Sequence, residues 1–153
     1  MAIRKIITQE NEILRKKSKV VVNFDESLWE LLDDMKETLV KAKGAGLASP
    51  QVAVLKRVFI VMANEDYIEF VNPKIVKTSG VQKGQEGCLS IPNQFSEVTR
   101  PNKVTIEFQD RYGNEMSLTA SGFMARAIMH ENDHLDGILY IDYLAEKQGQ
   151  NNK

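Results

Sequence analysis

The hydrophobic positions of this 153-residue chain fall into two kinds of pattern. Leu28, Leu31, Leu32, Met35, Leu39 and Ala42 recur with the 3.6-residue period of an amphipathic helix. Ser27 and Glu30 have the S-x-x-E spacing of a capping box, and Gly44 stands where a helix stop is expected. The helical period returns over residues 121–136, with Ser121 as N-cap and Gly137 just past the end. On that helix Phe123, Ala127, His130 and His134 share one face, and Met124, Ile128 and Leu135 the adjacent one. A helix apolar on so much of its circumference is buried. A shorter helix is expected within residues 9–17. Between the two long helices the pattern changes to that of strands. "RVFIVMA" (57–63) is rich in β-branched residues and predicts a buried strand. "YIEFVNPKIV" (67–76) predicts another, interrupted or ended by Pro73. "KVTIEFQD" and "EMSLTA" flank "RYGN" as the arms of a hairpin. The predicted class is α+β, with antiparallel β-sheets surrounding a central helix, the one that carries both histidines.

Length predicts a single domain, residues 1–147, followed by a frayed polar tail, 148–153. A net charge of −1 argues against direct nucleic-acid binding, which normally needs a basic domain. The basic cluster Arg15, Lys16, Lys17 and Lys19 reads as a solvated helix face. No apolar run reaches the ~18 residues of a membrane helix, and the N-terminal stretch lacks the apolar core of a signal peptide. The expected location is therefore the cytoplasm. The single cysteine, Cys88, excludes an internal disulfide.

Both histidines of the chain lie in "HENDH", His130 and His134, with Glu131 after the first. Residues four apart on a helix share a face, so two imidazoles there can converge on one ion. The H-E-x-x-H pattern is a known metal signature, with the Glu placed as general base. The plain alternative, two core or surface histidines, is disfavoured on an apolar helix because an unpaired imidazole there is costly. A catalytic site of this kind takes a third protein ligand. No third histidine exists, which leaves Cys88 or a carboxylate; Asp136, Asp142 and Glu146 follow His134, as an H-E-x-x-H metallopeptidase would require. Glycine-rich "GAGLASPQ" (44–51) lacks the Lys-Ser/Thr ending of a phosphate loop. Taken alone, Gln51 reads as an exposed loop amide.

Three segments resemble the motifs of peptide deformylases: "GAGLASPQ" (44–51), "EGCLS" (86–90) and "HENDH" (130–134), in family order and spacing. The resemblance runs from about residue 3 to 145 and implies hydrolysis of the N-formyl group from the initiator methionine of new polypeptides. It implies one divalent metal held by Cys88, His130 and His134, with Fe²⁺ the expected ion in cells and Zn²⁺ or Ni²⁺ as substitutes. It gives Glu131 the role of general base and acid. It gives the Gln51 side chain and the Leu89 backbone N–H the role of oxyanion donors. Main-chain groups at Ala45, Gly46 and Gly87 would pair with the peptide, and Phe123, Arg126 and Ala127 would line the methionine pocket. Glu86 and Arg100 would form an ion pair steadying the Cys88 loop. The implied partners are formylmethionyl nascent peptides and, transiently, the ribosome. Against ribosome docking stands the short stretch after Leu144, where some members carry a longer C-terminal helix. Ser49 stands where many members have Ala, a change between small residues.

Overall fold

The computed structural model of the chain describes residues 2–144. Among these residues α1 (Glu26–Ala42) precedes seven strands and α2 (Gly122–His134) follows them. The strands are β1 (Gly46–Ala48), β2 (Val58–Ala63), β3 (Asp66–Ser79), β4 (Gln82–Cys88), β5 (Ile91–Arg100), β6 (Lys103–Gln109) and β7 (Glu115–Ser121). Five of them form one antiparallel sheet in the order β1-β2-β3-β6-β7, while β4 and β5 pair with each other as a separate hairpin.

Strand β2 explains its own composition. Successive side chains of a strand point to opposite faces, and here both faces are covered. Phe59 and Val61 pack with Ala125 and Ile128 of α2 on one side. Val58 and Ile60 pack with Leu31, Leu32, Met35 and Leu39 of α1 on the other. An apolar residue is therefore required at almost every position. A third cluster, Leu14, Ile91, Val98, Leu139 and Tyr140, seats the β4–β5 hairpin on the segment after α2. The sheet and hairpin thus surround α2, in the α+β arrangement predicted.

Several boundaries differ from the sequence pattern. Helix α1 starts at Glu26 because Asp25 is its N-cap, its carboxylate accepting from the Leu28 N–H at 3.3 Å; the Ser27–Glu30 capping box lies inside the helix. The left-handed stop is Lys43, at φ 58°, one residue before Gly44. Gly44 is needed for space instead: a Cβ there would lie 2.9 Å from a Leu89 methyl. The short helix expected over 9–17 contracts to a 3-10 turn, Glu12–Arg15. The last helix covers Gly122–His134 rather than 121–136, and Ser121 caps it in backbone conformation without a side-chain hydrogen bond. Pro73 neither ends nor interrupts β3. Asn72 takes the left-handed conformation at φ 49°, and the register shifts between Val71 and Lys74, so the proline falls where the ladder is already irregular. The expected tail, 148–153, lies outside the described residues. No described helix is long and apolar enough to cross a membrane.

The N-terminal arm ties the elements of the later site together. The Ala2 amide donates to Asp34 Oδ1 at 2.7 Å, and Arg4 Nε to Asp34 Oδ2 at 2.9 Å. Further on, Ile7 N donates to the Gln51 carbonyl at 2.8 Å and Gln9 N to the Ser90 carbonyl at 3.0 Å. Burial alone would raise the Asp34 pKa, but the Ala2 amide and the Arg4 guanidinium outweigh it and hold the group below the usual carboxylate value. A carboxylate depressed in the folded state stabilises above its unfolded pKa, and that stability is lost as pH falls through the folded value. Wild type is accordingly expected to exceed Asp34→Asn by about 2 kcal/mol at pH 7, with the difference closing as pH falls below the usual carboxylate range, as read by urea unfolding across pH.

Candidate metal centre

His130 and His134 sit on adjacent turns of α2, 8% and 1% exposed, with ring centroids 5.2 Å apart. Cys88 ends β4, where a register shift between Glu86 and Cys88 breaks the regular pairing with β5. Its Sγ lies 3.4 Å from His134 Nε2. The ligand atoms of Cys88, His130 and His134 all lie within 4.8 Å of one another, close enough to share one ion. The other acids weighed from sequence point elsewhere: Asp136 pairs with Arg57 and Asp142 with Arg15. Glu146 lies outside the described residues.

The donor set fits a divalent cation on its electrostatics. Burial would push Glu86 up, but hydrogen bonds and charge from Arg100 and His130 hold its pKa at about 2, so it is a carboxylate and can only accept. His130 Nδ1, 2.8 Å from Glu86 Oε1, must therefore carry the proton. That leaves His130 Nε2 as the ring's remaining donor atom, the arrangement expected of a metal-bound histidine. Burial, then the charge of His130, keeps His134 well below its usual value and hence neutral. Burial also disfavours charge on His130, yet Cys88 and the carboxylates of Glu131 and Glu86 outweigh it and lift its pKa to about 10. Surroundings that retain a proton so strongly also favour a cation in its place.

Glu86 is the hub behind the candidate ligands. Arg100 grips it in bidentate fashion, Nε to Oε2 at 2.8 Å and Nη2 to Oε1 at 2.9 Å, with both side chains almost fully buried. Arg126 Nη1 adds a contact to Oε2 and another to the Val98 carbonyl at 3.0 Å. Arg100 Nη1 continues to Asp133 Oδ2 at 2.7 Å, which also accepts from Tyr143 Oη.

Glu131 is 5% exposed and its Oε1 has no hydrogen-bond partner. Burial raises its pKa to about 7 against the lowering effect of His130. Gly46 makes room for it: a Cβ there would lie 2.6 Å from Glu131 Oε2. Gln51 is 1% exposed, the opposite of the loop amide its local sequence suggests. It sits in a 3-10 turn, Ser49–Val52, with Oε1 accepting from Ala48 N at 2.9 Å. Its Nε2 donates to Ser90 Oγ at 3.1 Å and faces Cys88 Sγ at 3.6 Å. Ser49, fully buried, donates its hydroxyl to the Val54 carbonyl at 2.6 Å.

A cleft of about 430 Å³ opens onto Cys88, His130, Glu131 and Gln51. Ala45, Gly46, Gly87 and Leu89 form part of its wall, as do Glu86, Phe123, Arg126 and Ala127. Phe123 is 54% exposed at the rim, whereas Ala127 is buried. Arg126, expected as a pocket residue, lines the cleft while its guanidinium is held by Glu86. Arg100 and His134 lie behind the wall. The sequence pattern did not single out Asp133, Ser90 or Tyr140, whose ring stacks on His130 at 6.0 Å while its hydroxyl donates to the Gln94 carbonyl. Asp133 and Ser90 lie inside the quoted "HENDH" and "EGCLS" segments, whereas Tyr140 is recognised only by partners distant in sequence.

A family model described as Polypeptide deformylase matches residues 3–150. The chain belongs to the polypeptide deformylase family. It is 58% identical over 142 residues to a peptide deformylase of Caldicellulosiruptor bescii, covering 93% of this chain and 86% of that one. It is 48% identical to peptide deformylase 2 of Clostridium acetobutylicum, covering 95% and 98%. Its fold superposes on the crystal structure of the Ehrlichia chaffeensis peptide deformylase in complex with actinonin with a TM-score of 0.93, at 35% identity and 98% and 93% coverage. Polypeptide deformylases are metal-dependent, and Cys88, His130 and His134 form a group that could hold the ion.

Replacing Arg100 by Leu removes the bidentate partner of buried Glu86, leaving it Arg126 and His130, and, among the described residues, the only cation paired with Asp133, leaving it the Tyr143 hydroxyl. Removing one partner of such a pair typically costs about 3–5 kcal/mol, and loosening the group that orients a ligand histidine costs about 10–100-fold in metal affinity. Arg100→Leu is expected to show both, by chemical denaturation and by chelator competition.

Proposed function

We propose that residues 1–147 form one catalytic domain that removes the N-formyl group from the terminal methionine of newly made polypeptides, releasing formate and a free amino terminus. The observation that carries this reading is the convergence of Cys88, His130 and His134 beside a buried, unpartnered Glu131 at the floor of an open cleft. In this reading those three residues hold one divalent ion. A sulfur and two nitrogens suit Fe²⁺ or Zn²⁺; Fe²⁺ is the ion proposed in cells, with Zn²⁺ or Ni²⁺ able to take its place. Bound there, such an ion supplies Lewis acidity and lowers the pKa of water toward neutrality.

The chain's own residues do the rest. Glu131 takes the proton from the attacking water and delivers it to the leaving amine, a transfer that works best when the group's pKa is near the working pH. The Gln51 amide and the Leu89 N–H donate to the developing oxyanion. Fixing Gln51 through both Ala48 and Ser90 means its donor need not reorient during reaction, which is where such groups gain their effect. Ala45, Gly46 and Gly87 bind the peptide main chain between the free edges of β1 and β4, in the manner of an added strand. Phe123 and Ala127, with the aliphatic stem of Arg126, seat the methionine side chain. The partners are formylmethionyl nascent peptides in the cytoplasm, with any contact to the ribosome transient.

The test is formate release from formyl-Met-Ala by protein loaded anaerobically with Fe²⁺, and separately with Ni²⁺. Glu131→Ala is expected to keep the metal and lose about 10²–10⁴ in rate. Gln51→Ala should lose about 10²–10³. Cys88→Ala is expected to lose the metal; a variant that kept both metal and activity would exclude the proposed ligand set. Gly46→Ala, which displaces Glu131 by an ångström or so, is expected to cost about 10² in kcat while the ion stays bound.

A further inference from the structure

We propose that Phe95 is a specificity-determining residue of this cleft: its ring seats the side chains that follow the methionine, so that peptides with apolar residues in the first two positions after it are preferred. The inference rests on the deformylase reading above and adds a selectivity to it.

Phe95 is 71% exposed, whereas Phe59 and Phe70 of the core are fully buried. A phenyl ring held in water beside a ligand cleft is a contact surface awaiting a cover. The ring is not adrift. It lines the same cleft as Cys88 and Glu131. Its edge occupies the space a side chain at position 87 would need: an ideal Cβ on Gly87 would lie 2.5 and 2.7 Å from two ring carbons. The register of the hairpin sets this meeting, since Glu86 pairs with Ser96 and the neighbours on either side are Gly87 and Phe95. The ring therefore packs against the backbone of the residue before Cys88.

A peptide laid along Gly87 must run past that ring. Phe123, on α2, stands at a second exposed apolar position of the cleft, at the pocket assigned to the methionine, and Pro92 at a third. Phe95 is then the largest exposed apolar side chain left for the residues downstream, with Pro92 and the half-buried Leu89 also on the wall. On the remaining rim Lys43, Gln85 and Asn93 are polar.

A prop for the Cys88 loop is the competing role for the same ring, and it affects all substrates alike. The metal-loaded full chain is assayed with formyl-Met-Xaa-Ala and formyl-Met-Ala-Xaa, where Xaa is Leu, Phe, Ser or Asp. Wild type is expected to favour Leu and Phe over Ser and Asp by about tenfold in kcat/KM at one or both positions, a ratio in the range of modest apolar contacts, expressed mainly in KM. Phe95→Ser should bring all peptides of a series within about twofold of one another, and Phe95→Tyr should restore the preference. Equal rates across the series in wild type, or a uniform fall in Phe95→Ser with the ratio intact, would overturn the proposal. Formate released from no formylated peptide, formyl-Met-Ala included, would instead overturn the deformylase reading and this inference with it.

Discussion

One buried carboxylate organises the interior of this protein. Glu86 lies on β4, its bidentate partner Arg100 on β5, and its other partners Arg126 and His130 on α2. The β4–β5 hairpin and α2 are thereby joined at a single charge. Two arginines around one carboxylate leave an excess of positive charge, which Asp133 offsets from the far side of Arg100. The arrangement costs desolvation, and a purely apolar packing of the same volume would often be as stable. What an apolar packing could not supply is a fixed acceptor at His130 Nδ1. The network is thus explained by the orientation of a ring better than by stability.

The sheet supplies the complementary constraint. Because β2 is buried on both faces, α1 and α2 cannot shift without exposing Val58 and Ile60, or Phe59 and Val61. The histidine helix is therefore held by apolar packing along one side and by the Glu86 network along another. The N-terminal arm adds the third restraint: its amides at Ile7 and Gln9 bind the carbonyls of Gln51 and Ser90, residues whose side chains already touch each other. Groups drawn from three distant stretches of chain meet at the cleft with little freedom left to any of them.

Much of this was legible in the chain, and the reasons for the exceptions are physical. Helix α2 and strand β2 have simple environments, so their periodicity reports them directly. The β4–β5 hairpin does not read as strands because its buried face is polar where it meets α2: Glu86 and Arg100 occupy positions that the usual alternation would give to apolar residues. Pro73 looked like a strand end because the left-handed Asn72 that accommodates it is held by Val21, far away in sequence. Gln51 looked exposed for the same reason, since one of its partners, Ser90, is 39 residues on. Asp25 replaced Ser27 as N-cap because both residue types cap well and local pattern cannot choose between them. The His pair and the Cys88 segment were legible as chemistry, but the expectation that the sulfur joins the two histidines came from resemblance, as spacing alone left a carboxylate open.

The two glycines at the mouth of the cleft join these themes. Behind Gly46 the space of a missing side chain is taken by Glu131; behind Gly87 it is taken by Phe95. Under the proposed function each glycine would serve two neighbours at once, allowing a side chain to press in from one side while a peptide backbone approaches from the other. That double use explains why small residues cluster where catalysis and recognition meet. Under the proposed function the two sides of the cleft would have different work: the Gly46 side would bring the proton-transfer group to the scissile bond, and the Gly87 side an apolar surface to the residues beyond. In that reading main-chain contact would make binding broad, and the side chains pressed against the glycines are what remains to make it selective.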